Sequence, residues 1–271
     1  MSGWQEVGNF MLHDFPFPFT DVLFGIPAVL AIVLYLAGVF KNNRQASRRQ
    51  WPWIRTMFWF FGVLLSASAV IGPIAEASHG NFTVHMMGHL FLGMLGPLLL
   101  ALAAPMTLLL RVLSVHHARQ LCRLLKSRLS KFYTHPVTAT FLNIGGLWLL
   151  YTTDLYMTMH HQLWLHVLVH IHVFAAGYLF TISLLYIDPV FHRFSYIYRT
   201  LVFIVALAGH GILSKYIYAY PPEGVPLDQA RTGAMLMYYG GDAVDLVIII
   251  LLFKKWFQAT RPRTRAVSVT A

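Results

Sequence analysis

The stretch from Phe82 to Arg111, FTVHMMGHLFLGMLGPLLLALAAPMTLLLR, is long and apolar enough to cross a bilayer, yet two histidines stand in its first turns. A helix in hydrocarbon satisfies all its backbone hydrogen bonds internally, so a chain carrying such a run is bound to build helices there. His85 and His89 are four residues apart and share one helical face. A polar, metal-competent pair at one end of a span calls for partners from other spans.

Further apolar runs of about 18 residues or more recur along the chain, each a transmembrane candidate. Of its 271 residues, 57% are hydrophobic and only 11% charged, which no water-soluble domain matches. Seven spans are predicted, over roughly 22–40, 54–75, 83–110, 137–156, 163–187, 196–217 and 232–253. Pro97 and Pro105 predict that the third is kinked or ends early. The expected fold is therefore all-α: a seven-helix transmembrane bundle as a single domain over 1–255, followed by a disordered cytoplasmic tail over 256–271. No cleavable signal peptide is expected, because Glu6, Asp14 and Asp21 replace the basic start that such a leader carries.

Loops rich in Lys and Arg alternate with loops that lack them. Lys41, Arg44, Arg48 and Arg49 follow the first span, and Arg111, Arg119, Arg123, Lys126, Arg128 and Lys131 follow the third. The tail holds Lys254, Lys255, Arg261, Arg263 and Arg265. The positive-inside rule then puts the N-terminus outside and the C-terminus in the cytoplasm. The net charge of +10 is accounted for by topology, and no nucleic-acid partner is expected. Within 111–136, Val112, Val115, Leu121, Leu124, Leu125 and Leu129 fall on a helical stripe among basic residues. That pattern suits an interfacial helix, and equally a solvated basic loop with a helical turn or two. Trp51, Trp53 and Trp59 stand where aromatic belt residues are expected.

Ionisable groups inside spans are costly and mark function. Counted at about 1.5 Å per residue, His85 and His89 lie roughly 5–11 Å below the outer end of their span. His166 and His170, a second pair four apart, enter at similar depth, and His210, Asp242 and Asp245 follow on later spans. All fall in the outer half of the membrane. His172 points away from His170, being about 200° further round the helix. A single intramembrane histidine reads first as a helix-to-helix hydrogen bond; the cluster reads as a metal site. The metal set is His85, His89, His166, His170, His210 and Asp242. Imidazole suits copper, zinc, iron and nickel, and nearby thioethers favour cuprous copper. The segment Met157-Thr-Met159-His160-His161 reads as a shallow outer capture point, with Met11 and His13 as additions to it. Met235 and Met237 read as core. Gly88, Gly93 and Gly96 read as a close-approach surface between helices, and Gly240-Gly241 as a place where the last span unwinds. One cysteine, Cys122, excludes thiolate-pair chemistry. Zinc or haem ranks behind copper, and a proton or ion transporter using the same His and Asp residues stands as a further alternative.

The motifs also carry a family resemblance. His85-Met-Met-Gly-His89 with Gly96-Pro97 and Ala104-Pro105, then Leu165-His166-Val-Leu-Val-His170-Ile-His172, Asp188-Pro189, His192-Arg193, Arg199, His210-Gly211-Ile212 and Asp228-Gln229 together resemble the CtaG family of caa3-type cytochrome c oxidase assembly factors. The similarity spans about residues 20–255. It implies a multi-pass plasma-membrane protein that is no enzyme, that has cytochrome c oxidase subunits as partners, and that acts at copper delivery. Where the last span of that family carries a Trp and a Glu, this chain has Tyr238-Tyr239-Gly-Gly-Asp242.

Overall fold

A computed structural model describes residues 17–46 and 48–261; the side chains of 17–20 are left aside. Met11 and His13 lie outside the described residues, as do residues 262–271 of the tail. Every regular element among the described residues is helical.

The helices are α1 (Phe17–Asn43), α2 (Trp53–Ser68), α3 (Pro73–Gly80), α4 (Phe82–Leu90) and α5 (Gly96–Leu102). Then come α6 (Pro105–Val112), α7 (Val115–Leu125), α8 (Arg128–Tyr133), α9 (Pro136–Thr140) and α10 (Gly146–Thr152). The chain closes with α11 (Leu155–His161), α12 (Leu163–Leu185), α13 (Tyr196–Ala219) and α14 (Leu227–Thr260). A π-helical turn at Phe91–Leu95 joins α4 to α5, and another at Phe141–Gly145 joins α9 to α10. α14 runs through Thr260, so residues 256–260 are helical where a disordered tail was expected.

Six stretches are long and apolar enough to cross a membrane: Asp21–Asn43, Trp53–Gly80, Phe82–Leu102, Leu163–Leu185, Tyr196–Ala219 and Leu227–Thr260. The predicted fourth span is helical from Pro136 to Thr152 but is shorter than any of these. Exposed residues such as Ile26, Val29, Val205 and Ile250 cover the bundle with apolar surface. A patch of that extent is incompatible with water and suits hydrocarbon.

Phe82–Leu102 is the centre of the bundle. Two thirds of its apolar window is buried, against 6% for α1. It ends where the two prolines required. Pro97 enters just after the π-turn, and the helix stops at Leu102, ahead of a left-handed Ala104 (φ 53°) and Pro105. Partners from afar satisfy this break. Tyr35 donates its hydroxyl to the Ala103 carbonyl (2.9 Å), and Trp51 Nε1 donates to Tyr35 (3.0 Å). The Asp188 carboxylate accepts from the Met106 and Thr107 amides (3.1 and 2.7 Å) and from the Thr107 hydroxyl (2.6 Å). Asp188 thus caps α6 in trans, neutralising amides that a helix start leaves unpaired. Trp51 is accordingly a buried structural residue, and of the three early tryptophans Trp53 is the most exposed.

The small residues do allow close approach. A Cβ on Gly177 of α12 would collide with the Gly93 carbonyl, and one on Gly96 with Ser66 Oγ of α2. Gly240 and Gly241 do not unwind α14, which is continuous through them; they make room for Leu90 and for the His210 ring. At the basic end, Lys255 Nζ donates to the Leu185 and Tyr186 carbonyls (2.7 and 3.0 Å), and Arg199 donates to Leu184 O. Two cations therefore close the C-terminus of α12, where the helix dipole favours them. α7 buries none of its residues and leaves Val115 and Leu124 exposed beside Arg119 and Arg123, as an interfacial helix would.

Removing the cap by Asp188→Ala should lower stability by about 1–2 kcal/mol, read as a fall in thermal midpoint in detergent; an unchanged midpoint would refute the capping role. Gly177→Ala forces the α4–α5 and α12 backbones apart and should cost about 1–3 kcal/mol in the same measurement.

Candidate metal centre

The site forms where α3, α4, α11 and α12 meet at one end of the bundle, and it continues inward to α13 and α14. α4 begins at Asn81, whose side chain accepts from the Val84 amide (3.2 Å). The same turn is tied to the start of α14, because the Phe82 amide donates to Gln229 Oε1 (2.9 Å) and the Thr83 hydroxyl to the Gln229 carbonyl (3.3 Å). These contacts set the height of His85 and His89 against the last helix. α12 presents His166 and His170 from the other side.

Four helices deliver imidazoles to one cluster. Ring centres are 5.4 Å apart for His79–His166, 5.7 Å for His79–His160, 6.2 Å for His85–His160 and 4.1 Å for His166–His170. With metal–nitrogen bonds of about 2.0–2.1 Å, two imidazoles on one tetrahedral ion place their ring centres about 5 Å apart. The rings thus stand near chelating separation. Among the described residues, no three His, Cys, Asp or Glu side chains are placed to hold one metal ion. Gathering three donors would require ring rotations and shifts of about an ångström, judged from that same separation.

The hydrogen bonds sort these rings. His85 Nε2 is 3.0 Å from the Tyr151 hydroxyl, which orients the ring and leaves Nδ1 outside that bond. His170 Nδ1 lies 2.8 Å from the His166 carbonyl; as the donor there it keeps the Nε2 lone pair available. Such an outer partner on the second nitrogen is the usual arrangement for a histidine ligand. His160 is 4% exposed, and neither of its ring nitrogens has a hydrogen-bond partner. Burial, with His79 and His170 close by, pulls its pKa down to about 3, so the ring is neutral and holds a free lone pair at pH 7. Leaving such nitrogens unpaired costs about 1–3 kcal/mol each. Imidazole donors of this kind suit copper, zinc, iron or nickel.

Of the six residues expected to form one site, four line two neighbouring cavities, His166 lines a third recess, and Asp242 lines none of them. One of the two cavities, of about 20 Å³, is lined by Ser78, His85, His89, Tyr151 and His170. The other, of about 10 Å³, is lined by His89, Met94, Asn143, His210 and Asp245. His89 forms part of both walls. His166 lines a third recess of about 20 Å³, with Asp21, Glu76, His79 and His170, toward the end of the bundle.

Asp242 is exposed on α14, and Asp245 (4% exposed) is the carboxylate that faces the cavity. The reason is helical phase. Met237, Gly241, Asp245, Ile248 and Leu252 recur three or four residues apart on the buried face of α14, and Asp242 lies about 100° away. That phase was available in the sequence. His79 escaped sequence reasoning because 76–82 reads as a loop. Its signal was the Gly72-Pro73 pair ahead of Glu76, a helix start with proline in the first turn.

The expected capture segment 157–161 is a short helix whose residues part company. Met159 is fully buried in an apolar cluster with Phe82, Met86 and Met237, and Met157 packs against it. His160 joins the histidines, and His161 stays exposed. Met237 is core, as expected, but Met235, also expected in the core, is exposed because it falls on the outward face of α14. His172 does face away: its Nε2 lies 3.0 Å from the Leu142 carbonyl within the second π-turn, a structural bond.

Curated relatives include uncharacterized proteins of Mycobacterium leprae (strain TN), 30% identical over 66% of this chain, and of Mycobacterium tuberculosis (strain CDC 1551 / Oshkosh), 32% identical over 65%. The chain spans only 28% and 27% of their lengths. No solved structure matches the chain. The family model for the cytochrome c oxidase caa3 assembly factor matches residues 33–259, which takes in every helix of the bundle in whole or in part and all the histidines described above. The chain belongs to the caa3-type cytochrome c oxidase assembly factor family, CtaG.

Proposed function

We propose that this protein is a multi-pass plasma-membrane assembly factor, not an enzyme, that holds copper at its histidine end and passes it to a subunit of cytochrome c oxidase. In this reading the histidine end faces out, the basic loops face the cytoplasm, and copper is cargo. Family membership supports the assembly role. One observation carries the copper reading: His79, His85, His160, His166 and His170 gather from four helices, and neither ring nitrogen of His160 has a partner among the described residues. Mixed imidazole donors with no thiolate suit copper, and the single Cys122 lies far along the chain on α7.

Haem is the weaker reading. The cavities beside His85, His89 and His210, of about 10–20 Å³, admit an ion or a water and not a porphyrin, and the larger apolar cavity of about 410 Å³ is lined by a single histidine, His170.

Full-length protein in lipid nanodiscs, loaded with cuprous ion and washed with chelator, should retain copper by mass spectrometry of metals. The double variant His79→Ala/His160→Ala should release about one ion per chain. Protein that emerges metal-free would end the copper reading. A second measurement separates ligand from core. His160→Leu replaces an unpaired buried imidazole by an apolar group, so the metal-free protein should gain about 1–3 kcal/mol while the copper-dependent rise in melting temperature shrinks. A loss of metal-free stability would mark His160 as a structural residue instead. In cells, deletion of the gene should leave oxidase subunits present and their activity low, with excess copper restoring part of it.

A further inference from the structure

Beyond the cluster at the bundle end, we infer that the cavity enclosed by His89, His210, Asp245, Asn143 and Met94 is a second copper station, selective for the cuprous ion. The inference rests on the copper reading above and adds a site to it.

Three independent features point to a cation there. First, His89 Nε2 and His210 Nε2 are both buried, at 7% and 4% exposure, and neither has a hydrogen-bond partner. Second, the lining offers the chemistry of a cuprous site, two imidazoles, a thioether and a carboxylate with an amide beside them, and His89, His210 and Asp245 would have to turn toward a common point to hold one ion. Imidazole and thioether together favour Cu(I), and one carboxylate would neutralise a monovalent ion in a medium where an unpaired charge is very costly. Third, the backbone is shaped around this cavity. Met94 comes from the first π-turn, Phe91–Leu95, and Asn143 from the second, Phe141–Gly145. Single π-turns inside helices are frequent at functional sites, and here both contribute to one small chamber. Gly93 gives the His89 ring its space and Gly241 the His210 ring, since a Cβ at either would press on the imidazole.

His89 lines this cavity and also the neighbouring one that holds His85 and His170. A copper ion in the outer cluster therefore reaches the inner donors by exchange at a single shared side chain. No electron is transferred, because the ion enters and leaves as Cu(I).

The test uses full-length protein in nanodiscs, loaded with Cu(I) under reductant and challenged with a competing cuprous chelator. Wild type should hold about two ions per chain. His210→Ala and Asp245→Asn should each lower this to about one and keep the ion that His79→Ala/His160→Ala removes. Met94→Leu, close in volume and free of folding risk from lost polar contacts, should remove sulfur scattering from the copper X-ray absorption spectrum. If His210→Ala and Asp245→Asn both retain the wild-type copper content and sulfur is never seen, the inner station is refuted. Wild type holding about one ion, lost only through the outer variants, refutes the inner station and leaves the outer reading standing. Wild type holding none refutes both.

Discussion

The structure depends on how imidazole nitrogens are satisfied where water is excluded. A buried polar atom without a partner is expensive, and the expense grows in a low dielectric. This bundle brings many histidines inside and treats them in two ways. His85, His170 and His172 have their second nitrogens tied to Tyr151, to the His166 carbonyl and to the Leu142 carbonyl. His89, His160 and His210 keep nitrogens without any protein partner. A bond on one ring nitrogen orients His85, His170 and His172, while His89, His160 and His210 bury a nitrogen that no described group satisfies.

Holding these rings in place takes a backbone packed closer than ordinary side chains permit. The central helix Phe82–Leu102 meets α12 through Gly93 and Gly177 and meets α2 through Gly96. Without a hydrophobic drive between helices in lipid, such small-residue contacts supply the association. Its far end is bound in a different manner, by Asp188 on α6 and by Tyr35 on Ala103. The helix is thus clamped at both ends, with the histidines at one and a proline-imposed break at the other. The two π-turns shift side chains by part of a turn, and this brings Met94 and Asn143 to the same cavity.

Much of this was legible in the chain. Apolar runs of spanning length announced helices, Pro97 and Pro105 announced the end of the central one, and the glycines announced close contacts. The histidine pairs four apart were correctly read as single faces, with His172 turned away. Other readings failed for identifiable reasons. Depth was weighed and helical phase was not, so the burial of Asp245 and the exposure of Asp242 were not anticipated. Gly240-Gly241 looked like a point of unwinding, but in hydrocarbon a helix keeps its backbone bonds and the glycines serve a neighbour's ring. The Met and His residues of 157–161 looked like one capture point because they are adjacent in sequence; on a helix, adjacent residues diverge by about 100°.

The sequence by itself determined that the chain is helical, that apolar surface must face hydrocarbon, and which histidines share a helix face. These follow from local rules: backbone satisfaction, the 3.6-residue period and residue polarity. Only the tertiary structure decided which faces meet. It brought His79 and His160 into the cluster, spread the expected residues over separate cavities, and buried Asp245 while leaving Asp242 exposed. Those outcomes turn on helix rotation and on sub-ångström contacts at glycine, which arise between segments far apart in the chain and leave no mark on either segment alone.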